Sequence, residues 1–141
     1  HALTCTPDLY HVDPCYVEVK FDSRTPVMAT KENCQDAAEK TAHAHGFEFE
    51  TPGMIPPHRV AADSAFVQKL LHAYEHVTGL KGEAMAIGGG TYVHDIKNGV
   101  AFGAVLPGID THMHGADEFF DLENIVLATK VYAEAIIELC S

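Results

Sequence analysis

Apolar and polar positions alternate with different periods along the chain, and each change of period marks a predicted element. Residues 15–22 alternate at period two and include β-branched and aromatic side chains, which predicts a half-buried strand. From Lys31 the apolar positions follow the spacing of a helix, with Thr30 as its expected N-cap and Gly46 just beyond its end. Residues 47–50 alternate again. The first part of the chain is therefore predicted to be a β-α-β unit, whose strands need further partners.

A linker is predicted after this unit. Residues 51–59 are rich in proline and glycine, a composition that disfavours regular structure. Beyond them, Asp63 is expected to cap a helix with a continuous apolar stripe, which ends at Gly79. We expect a domain boundary within the linker.

The second half of the chain contains two predicted strands and a closing helix. Residues 83–87 form a short apolar run, and residues 100–106 form a longer one after the turn signal Asn98-Gly99. Apolar positions between 122 and 136 then follow helical spacing, and acidic residues at the start suit the positive end of a helix. Helices and strands in this order predict an α/β fold.

Composition excludes several classes of function. The 141 residues suffice for one core, and 9 Lys+Arg against 20 Asp+Glu give a net charge of −11. Nucleic acid and anionic membranes are therefore not expected as partners, because both require a basic surface. No stretch reaches the roughly 20 apolar residues of a spanning helix, so we expect a soluble protein. The 4 cysteines form no C-x-x-C pair and fit a reducing cytoplasm.

A polar loop before the closing helix carries the densest chemistry. Two imidazoles and three carboxylates lie within nine residues, namely Asp110, His112, His114, Asp117 and Glu118. Neutral imidazole and carboxylate are ligands that zinc and similar ions take. Ligands of α/β proteins also bind beyond the carboxyl ends of strands. The pattern alone leaves a solvated turn or a helix cap as an open alternative.

A second histidine pattern lies within the predicted helix that ends at Gly79. His72-Ala73-Tyr74-Glu75-His76 matches the H-x-x-E-H pattern of one class of zinc peptidase, with two imidazoles one helical turn apart. At about 100° per residue, however, both histidines project away from the apolar stripe. A catalytic metal requires a pocket that excludes water, so we interpret His72 and His76 as surface residues.

Two further groups of histidines have simpler interpretations. His11-Val12-Asp13 has the H-x-D spacing of a metal-binding strand end, but it precedes a strand, so we expect a polar loop there. His43 and His45 lie near a predicted helix C-terminus, where positive charge is favourable, and we interpret them as surface residues.

A glycine run and one arginine are candidate substrate contacts. Gly88, Gly89 and Gly90 precede Thr91 and allow the backbone to approach a ligand closely, because glycine lacks a Cβ atom. Neither nucleotide-binding fingerprint is met, and a plain turn remains an open alternative. Arg24 follows the first predicted strand and is either a salt-bridge partner or a bidentate clamp for a carboxylate.

Five motifs occur in order along the chain. They are Asp22-x-Arg24-x-Pro26, Gly88-Gly89-Gly90-Thr91-Tyr92, Asn98-Gly99-Val100-Ala101-Phe102-Gly103, Pro107-Gly108 with His114-x-x-Asp117-Glu118, and Tyr132-Ala133-x-Ala135-Ile136. Together they resemble the C-terminal part of the dinuclear zinc dipeptidases, the carnosinase-like and Xaa-His dipeptidases of the aminoacylase and carboxypeptidase G superfamily. The resemblance extends over nearly the whole chain from about Tyr16 onward.

The resemblance implies roles for particular residues. His114 matches the terminal imidazole ligand of one zinc ion, in a motif normally written H-x-x-Asn/Asp-Glu. Arg24 matches the lid-domain arginine that binds the terminal carboxylate of the substrate. The loop Gly88–Thr91 matches the segment that lies along the substrate backbone.

The resemblance also implies an incomplete enzyme. Residues 1–55 would be part of a ferredoxin-like lid, and residues 56–141 the C-terminal portion of a zinc-aminopeptidase-like catalytic sheet. The other zinc ligands and the general base of the family have no counterpart here, so we expect a C-terminal fragment whose partner is the remainder of the parent chain. Two zinc ions per full-length subunit are implied, with other divalent metals as an alternative.

The implied function is metal-dependent hydrolysis of dipeptides by a cytoplasmic parent enzyme. Zinc would polarise the carbonyl and lower the pKa of the attacking water. N-acyl amino-acid deacylation uses the same kind of site and is the first alternative. The second is a non-catalytic α/β module that self-associates through unpaired strand edges.

Overall fold

The computed structural model describes residues 3–103 and 105–141 of the chain. Within them, two strands are followed by three α-helices: β1 (Thr4–Val12), β2 (Val17–Arg24), α1 (Asp36–Ala44), α2 (Ala65–Thr78) and α3 (Leu122–Cys140). A π-helical turn, Lys31–Gln35, leads directly into α1, and a 3-10 turn spans Tyr92–Asp95. The mixed α/β class predicted from the sequence is confirmed.

The chain divides into two compact units. One extends to Arg59 and also includes Ile87–Gly90, and the other consists of Val60–Ala86 and Thr91–Ser141. Strands β1 and β2 and helix α1 belong to the first unit, and helices α2 and α3 belong to the second.

The two strands form an antiparallel hairpin. Strand β2 corresponds to the predicted strand at residues 15–22, but β1 is absent from the sequence-based prediction. Pro7 lies inside β1, and the register shifts between Pro7 and Leu9. Proline lacks an N–H group and interrupts the regular alternation, yet it is tolerated here because both strands of a two-stranded sheet are edge strands.

The hairpin turn is organised by Asp13. Its carboxylate accepts hydrogen bonds from the backbone N–H groups of Cys15 at 2.6 Å and Tyr16 at 2.9 Å. The loop predicted at His11 is therefore wrong, because His11 belongs to β1 and only Asp13 lies in the turn. A turn-forming aspartate of this kind is a common alternative to a metal ligand.

The π-helical turn that leads into α1 begins with the predicted cap, Thr30. The Thr30 hydroxyl accepts a hydrogen bond from the backbone N–H of Asn33, whose side chain accepts one from the Thr30 N–H at 2.8 Å. This reciprocal pair satisfies two donors at the helix start. Gly46 follows the helix with a φ of +79°, the left-handed conformation that favours glycine.

Helix α2 begins one residue later than predicted. Ser64, and not Asp63, is its N-cap, with a hydroxyl that accepts a hydrogen bond from the Val67 N–H. The predicted end is confirmed, because Gly79 is the C-cap with a φ of 68°. Asp121 caps α3 in the same way as Ser64 caps α2, accepting from the Asn124 N–H at 2.9 Å.

Helices α2 and α3 form the core of the second unit. Its buried apolar residues are Val67, Leu70, Ala73, Ala128, Val131 and Ala135. Three of them are alanines, whose small side chains allow two helix backbones to approach closely. Val100 and Phe102 pack against this core. The Tyr132 hydroxyl donates a hydrogen bond to the Phe102 carbonyl, so the segment before α3 is tied to that helix.

Three predicted strands are absent from the described part of the chain. Residues 47–50, 83–87 and the described residues of 100–106 have irregular backbone, and residue 104 lies outside the described residues. The apolar patterns were sufficient to suggest strands, but a strand also needs a neighbour that pairs with its N–H and C=O groups. Within the described residues, only β1 and β2 have such a neighbour.

The cysteines and the helices were also the subject of sequence-based expectations. Cys5, Cys15, Cys34 and Cys140 are all free. Among the residues that the structure describes, no helix has the length and apolar character needed to cross a membrane.

Candidate functional site

The loop before α3 is closed by backbone hydrogen bonds. The Phe119 N–H donates to the Thr111 carbonyl at 3.1 Å, and the Asp110 carboxylate accepts from the His112 N–H at 2.9 Å. Thr111 is only 8% exposed and anchors the start of the loop. The residues between the two anchors are exposed, so the loop presents its polar groups to solvent.

Three residues in this loop adopt left-handed backbone conformations without being glycine. Their φ values are 55° at His112, 63° at His114 and 56° at Asp117. Each costs conformational energy of about 1–2 kcal/mol relative to the right-handed regions, and such residues concentrate at functional sites. The Gly115 N–H donates to the His112 carbonyl at 2.7 Å, which closes a tight turn around His114.

The two histidines of the loop differ in their surroundings. The His112 ring packs edge-on against the Phe119 ring, with centroids 5.6 Å apart and planes at 87°. The His114 ring is exposed, and no hydrogen bond, ion pair or ring contact with it occurs within residues 3–103 and 105–141. His112 therefore has a packing role, whereas the imidazole of His114 is available to a ligand.

The described residues do not form a complete metal site. Across residues 3–103 and 105–141, no group of three or more His, Cys, Asp or Glu side chains comes together to hold an ion. Asp110 accepts a backbone hydrogen bond, and Asp117 and Glu118 do not converge on His114. His114 is thus a single candidate ligand, and further ligands would have to come from outside this set of residues.

Arg24 lies at the end of β2, as predicted, and is held by a neighbour on the same strand. Its Nε and Nη2 atoms donate to Asp22 Oδ2 at 3.1 and 2.8 Å. Asp22 was not predicted as its partner, although residues two apart on a strand share a face. The Arg24 side chain is 51% exposed, so its guanidinium remains accessible.

Gly88, in the glycine loop, lies near the Arg24 side chain within the first unit. A Cβ atom on Gly88 would lie 3.9 Å from Arg24 Cγ, an ordinary contact, and Cβ atoms on Gly89 or Gly90 would meet no atom within 4 Å. None of these glycines has a positive φ. The fold therefore does not require glycine at these positions. Thr91 is the N-cap residue of the 3-10 turn that follows.

The H-x-x-E-H histidines lie on the exposed side of α2, as predicted. His72 Nδ1 is 2.9 Å from Glu138 Oε1, and His76 Nδ1 is 2.8 Å from Glu134 Oε1, both on α3. The glutamate of the pattern, Glu75, accepts a hydrogen bond from the Gly82 N–H instead. A zinc-peptidase role for this pattern is thereby unsupported, since its acid is already committed to the backbone.

Comparison with known proteins gives close relatives. Over 122 residues the chain is 36% identical to "Putative dipeptidase YtjP" of Bacillus subtilis (strain 168), covering 86% of this chain and 26% of that protein. It is 41% identical over 101 residues to "Putative dipeptidase SH1171" of Staphylococcus haemolyticus (strain JCSC1435), covering 72% of this chain and 22% of that protein. It is 38% identical over 109 residues to "Putative dipeptidase SAUSA300_1697" of Staphylococcus aureus (strain USA300), covering 77% of this chain and 23% of that protein.

The chain spans about a quarter of the length of these relatives. The family model described as peptidase family M20/M25/M40 matches residues 5–138, which is nearly the whole chain. The resemblance found in the sequence motifs is thereby confirmed at the level of the family. The chain belongs to peptidase family M20/M25/M40.

Proposed function

We propose that this chain is the C-terminal part of a zinc-dependent dipeptidase, in which His114 is one zinc ligand and Arg24 binds the carboxyl-terminal carboxylate of the substrate. Membership of the peptidase family supports hydrolysis of a peptide bond. The names of the relatives, which specify dipeptidases, support a dipeptide as substrate. Free cysteines support the cytoplasm as the location.

The backbone conformation and the exposure of His114 carry the proposal. Its backbone is left-handed with a φ of 63°, its ring is exposed, and it begins the His114-x-x-Asp117-Glu118 motif. A fold retains such strain where the surrounding loop determines it, and here the turn between His112 and Gly115 does so. The neighbouring His112 ring packs edge-on against Phe119, and His112 does not begin the H-x-x-Asp-Glu motif, so the proposal assigns the ligand to His114.

The incomplete set of ligands determines how zinc enters the proposal. One imidazole does not hold a zinc ion alone, because catalytic zinc sites use three protein ligands as a rule. We therefore assign to this chain one ligand of a site whose remaining ligands, and whose general base, belong to the rest of the parent enzyme. Residues of this chain then act by binding and orienting the substrate.

Arg24 and the glycine loop support a substrate-binding role together. The guanidinium donates to one carboxylate oxygen of Asp22, and the Arg24 side chain remains half-exposed. It can therefore also form a charge-assisted hydrogen bond with the carboxylate of a substrate. Gly88 is a neighbour of the Arg24 side chain, since a Cβ atom added there would lie 3.9 Å from Arg24 Cγ. Because no steric conflict within the described residues explains the glycines at 88–90, we propose that they leave room for the substrate backbone.

The exposed apolar surface supports association with further protein. On α3, Leu122 is 78% exposed, and Ile136 and Ile137 are each 63% exposed. Patches of this kind mark interaction surfaces. We propose that the isolated chain self-associates, and that the remainder of the parent covers this surface in the full-length enzyme. Sedimentation at high concentration tests this, and a strictly monomeric species would contradict it.

Hydrolysis assays on the isolated chain and on the full-length parent test the proposed function. The 141-residue chain should release no amino acid from dipeptides in the presence of zinc, whereas the full-length enzyme should do so and lose activity with a chelator. Chelator-sensitive turnover by the chain alone would overturn the proposal. Preferential hydrolysis of N-acetyl amino acids over dipeptides by the full-length enzyme would favour the deacylase alternative.

A further inference from the structure

The contacts between α2 and α3 orient two exposed imidazoles. An ionised carboxylate only accepts hydrogen bonds, so His72 and His76 must each donate from Nδ1 to Glu138 and Glu134. In the neutral ring, Nε2 then carries a lone pair. Both histidine side chains are 65% exposed, whereas the glutamates are only 26% and 24% exposed. The acids are therefore more buried than the rings, whose surface is mostly exposed to solvent.

The two rings are also matched in position. His72 and His76 are one helical turn apart on the same face of α2. Their ring centroids are 6.1 Å apart, and their planes are nearly parallel at 9°. Each ring has a carboxylate at Nδ1. This is the arrangement that orients metal-binding histidines in proteins, where the nitrogen that does not bind the metal donates to a carboxylate.

We propose that His72 and His76 form a binding site for one divalent transition-metal ion, with Nε2 of each ring as a ligand. Glu134 and Glu138 are positioning residues that fix the tautomer and the orientation of the rings. Imidazole ligands suit zinc, nickel and copper ions. Such a site differs from the H-x-x-E-H peptidase site in that its acids come from α3, while Glu75 is bound to the Gly82 backbone.

The rings need a small adjustment to share an ion. With Zn–N bonds of about 2.0–2.1 Å and a tetrahedral angle, the two Nε2 atoms would lie about 3.3 Å apart. Nearly parallel rings at 6.1 Å must therefore tilt towards each other. The torsion that turns a histidine ring about its Cβ–Cγ bond is broad, so this movement is inexpensive.

The number of ligands defines the class of site. Among the residues that the structure describes, no group of three or more His, Cys, Asp and Glu side chains could hold an ion, and the two carboxylates beside the rings are engaged at Nδ1. Two imidazoles therefore supply the protein ligands, and water completes the coordination shell. This makes the site a surface chelate that supports structure or metal loading, and it is separate from the proposed role of His114.

The local charge favours a cation. Glu134 and Glu138 place two carboxylates beside the rings, and the chain as a whole carries a net charge of −11. Lys69 also lies nearby, with its ammonium group donating to the backbone carbonyl of Glu138. The two carboxylates and the negative net charge of the chain attract a divalent ion.

Isothermal titration of the 141-residue chain with nickel chloride and zinc chloride tests the site. The titrations use a His114→Ala background, so that the proposed catalytic ligand does not contribute. We expect one saturable ion per chain, lost in the double variant His72→Ala/His76→Ala. The double variant His43→Ala/His45→Ala is the matched control, because it also removes two exposed imidazoles but should leave binding unchanged.

The glutamates distinguish a site with positioning residues from chance chelation by two surface histidines. Glu134→Gln and Glu138→Gln should each weaken metal binding about 10- to 100-fold, because an amide cannot replace the ionised acceptor at Nδ1. Circular dichroism of each variant should show unchanged helix content. If the alanine variants lose helix, the His72→Gln/His76→Gln variant, which keeps polar side chains, provides the same comparison.

Three outcomes would overturn the proposal. The first is an absence of saturable nickel or zinc binding by the His114→Ala chain. The second is undiminished binding after both histidines on α2 are removed. The third is equal affinity in the glutamine variants and the parent chain, which would mean an adventitious chelate only.

Discussion

The backbone N–H of Gly115 donates a hydrogen bond to the His112 carbonyl over 2.7 Å, and a Cβ atom on Gly115 would lie 2.9 Å from the same oxygen. The turn that carries His114 thus closes so tightly that it accepts no side chain at Gly115. The obstacle is a backbone atom, which cannot move aside as the end of a flexible side chain can.

Replacing Gly115 by alanine should therefore open this turn. The loss of unfolding free energy is expected to be about 1–3 kcal/mol, the usual cost of overpacking. Gly103→Ala is the matched control, because a Cβ atom there meets nothing within 4 Å. Urea unfolding of both variants measures the difference. Equal stabilities would mean that the turn adapts to a Cβ atom and does not fix the backbone of His114.

The glycine loop should respond in the opposite way. Gly89→Ala should leave the free energy of unfolding unchanged or raise it by about 0.4–1 kcal/mol, because alanine restricts the unfolded chain and meets no obstacle in the folded one. Gly79→Ala should instead destabilise the chain by about 1–2 kcal/mol, since its φ is 68°.

Activity of the full-length enzyme separates the two interpretations of this loop. If the glycines leave room for a substrate, Gly89→Ala should raise KM for dipeptides without a loss of stability. An unchanged KM would identify the segment as a plain turn.

The Arg24 guanidinium should discriminate between substrates by their carboxyl terminus. In the full-length enzyme, Arg24→Lys should weaken the use of dipeptides with a free carboxylate by roughly 1.5–3 kcal/mol, the range for charge-assisted hydrogen bonds. Lysine cannot reproduce the planar fork of arginine. The measurement is kcat/KM for free and amidated dipeptides. Equal losses for both substrates would make Arg24 a structural partner of Asp22 only.

Acid should weaken the start of the first helical segment. A hydrogen bond from its own backbone N–H, and a second from the Thr30 hydroxyl, hold the pKa of Glu32 below its ordinary value of 4.5. A lowered folded-state pKa gives a stabilising contribution that is present at neutral pH and is lost as the pH falls through the folded-state value. Glu32→Gln should therefore reduce stability at pH 7 but not at strongly acidic pH. The urea concentration at the midpoint of unfolding, measured for the parent chain and for Glu32→Gln from pH 7 to acidic pH, tests the direction of this effect.

Local signals predicted the helix boundaries well because each signal acts within a few residues. Thr30 caps the first helical segment and Gly79 ends α2, as their side-chain chemistry indicated. The cap of α2 was misassigned by one residue because Asp63 and Ser64 are both good caps. The sequence alone contains no information that ranks two adjacent capping residues.

Features that depend on residues distant in the sequence could not be predicted from local patterns. Apolar runs such as residues 83–87 have the pattern of a strand but no pairing partner within the described residues, whereas β1 pairs with β2 despite Pro7. The partnership of His72 with Glu138 spans 66 positions, and no local pattern indicates it. The left-handed φ values at His112, His114 and Asp117 could not be predicted either, since none of the three is glycine.

The zinc content of two histidine variants tests the central claim most directly. His114→Ala and His112→Ala are made in the full-length parent, dialysed, and measured by elemental analysis together with dipeptide hydrolysis. We predict that His114→Ala loses one zinc ion per subunit and most of the activity, because its exposed imidazole is the proposed ligand. His112→Ala should keep its zinc and lose little activity, since that ring packs against Phe119. Loss of zinc from His112→Ala, with zinc retained in His114→Ala, would contradict the assignment of the ligand and the proposed function that rests on it.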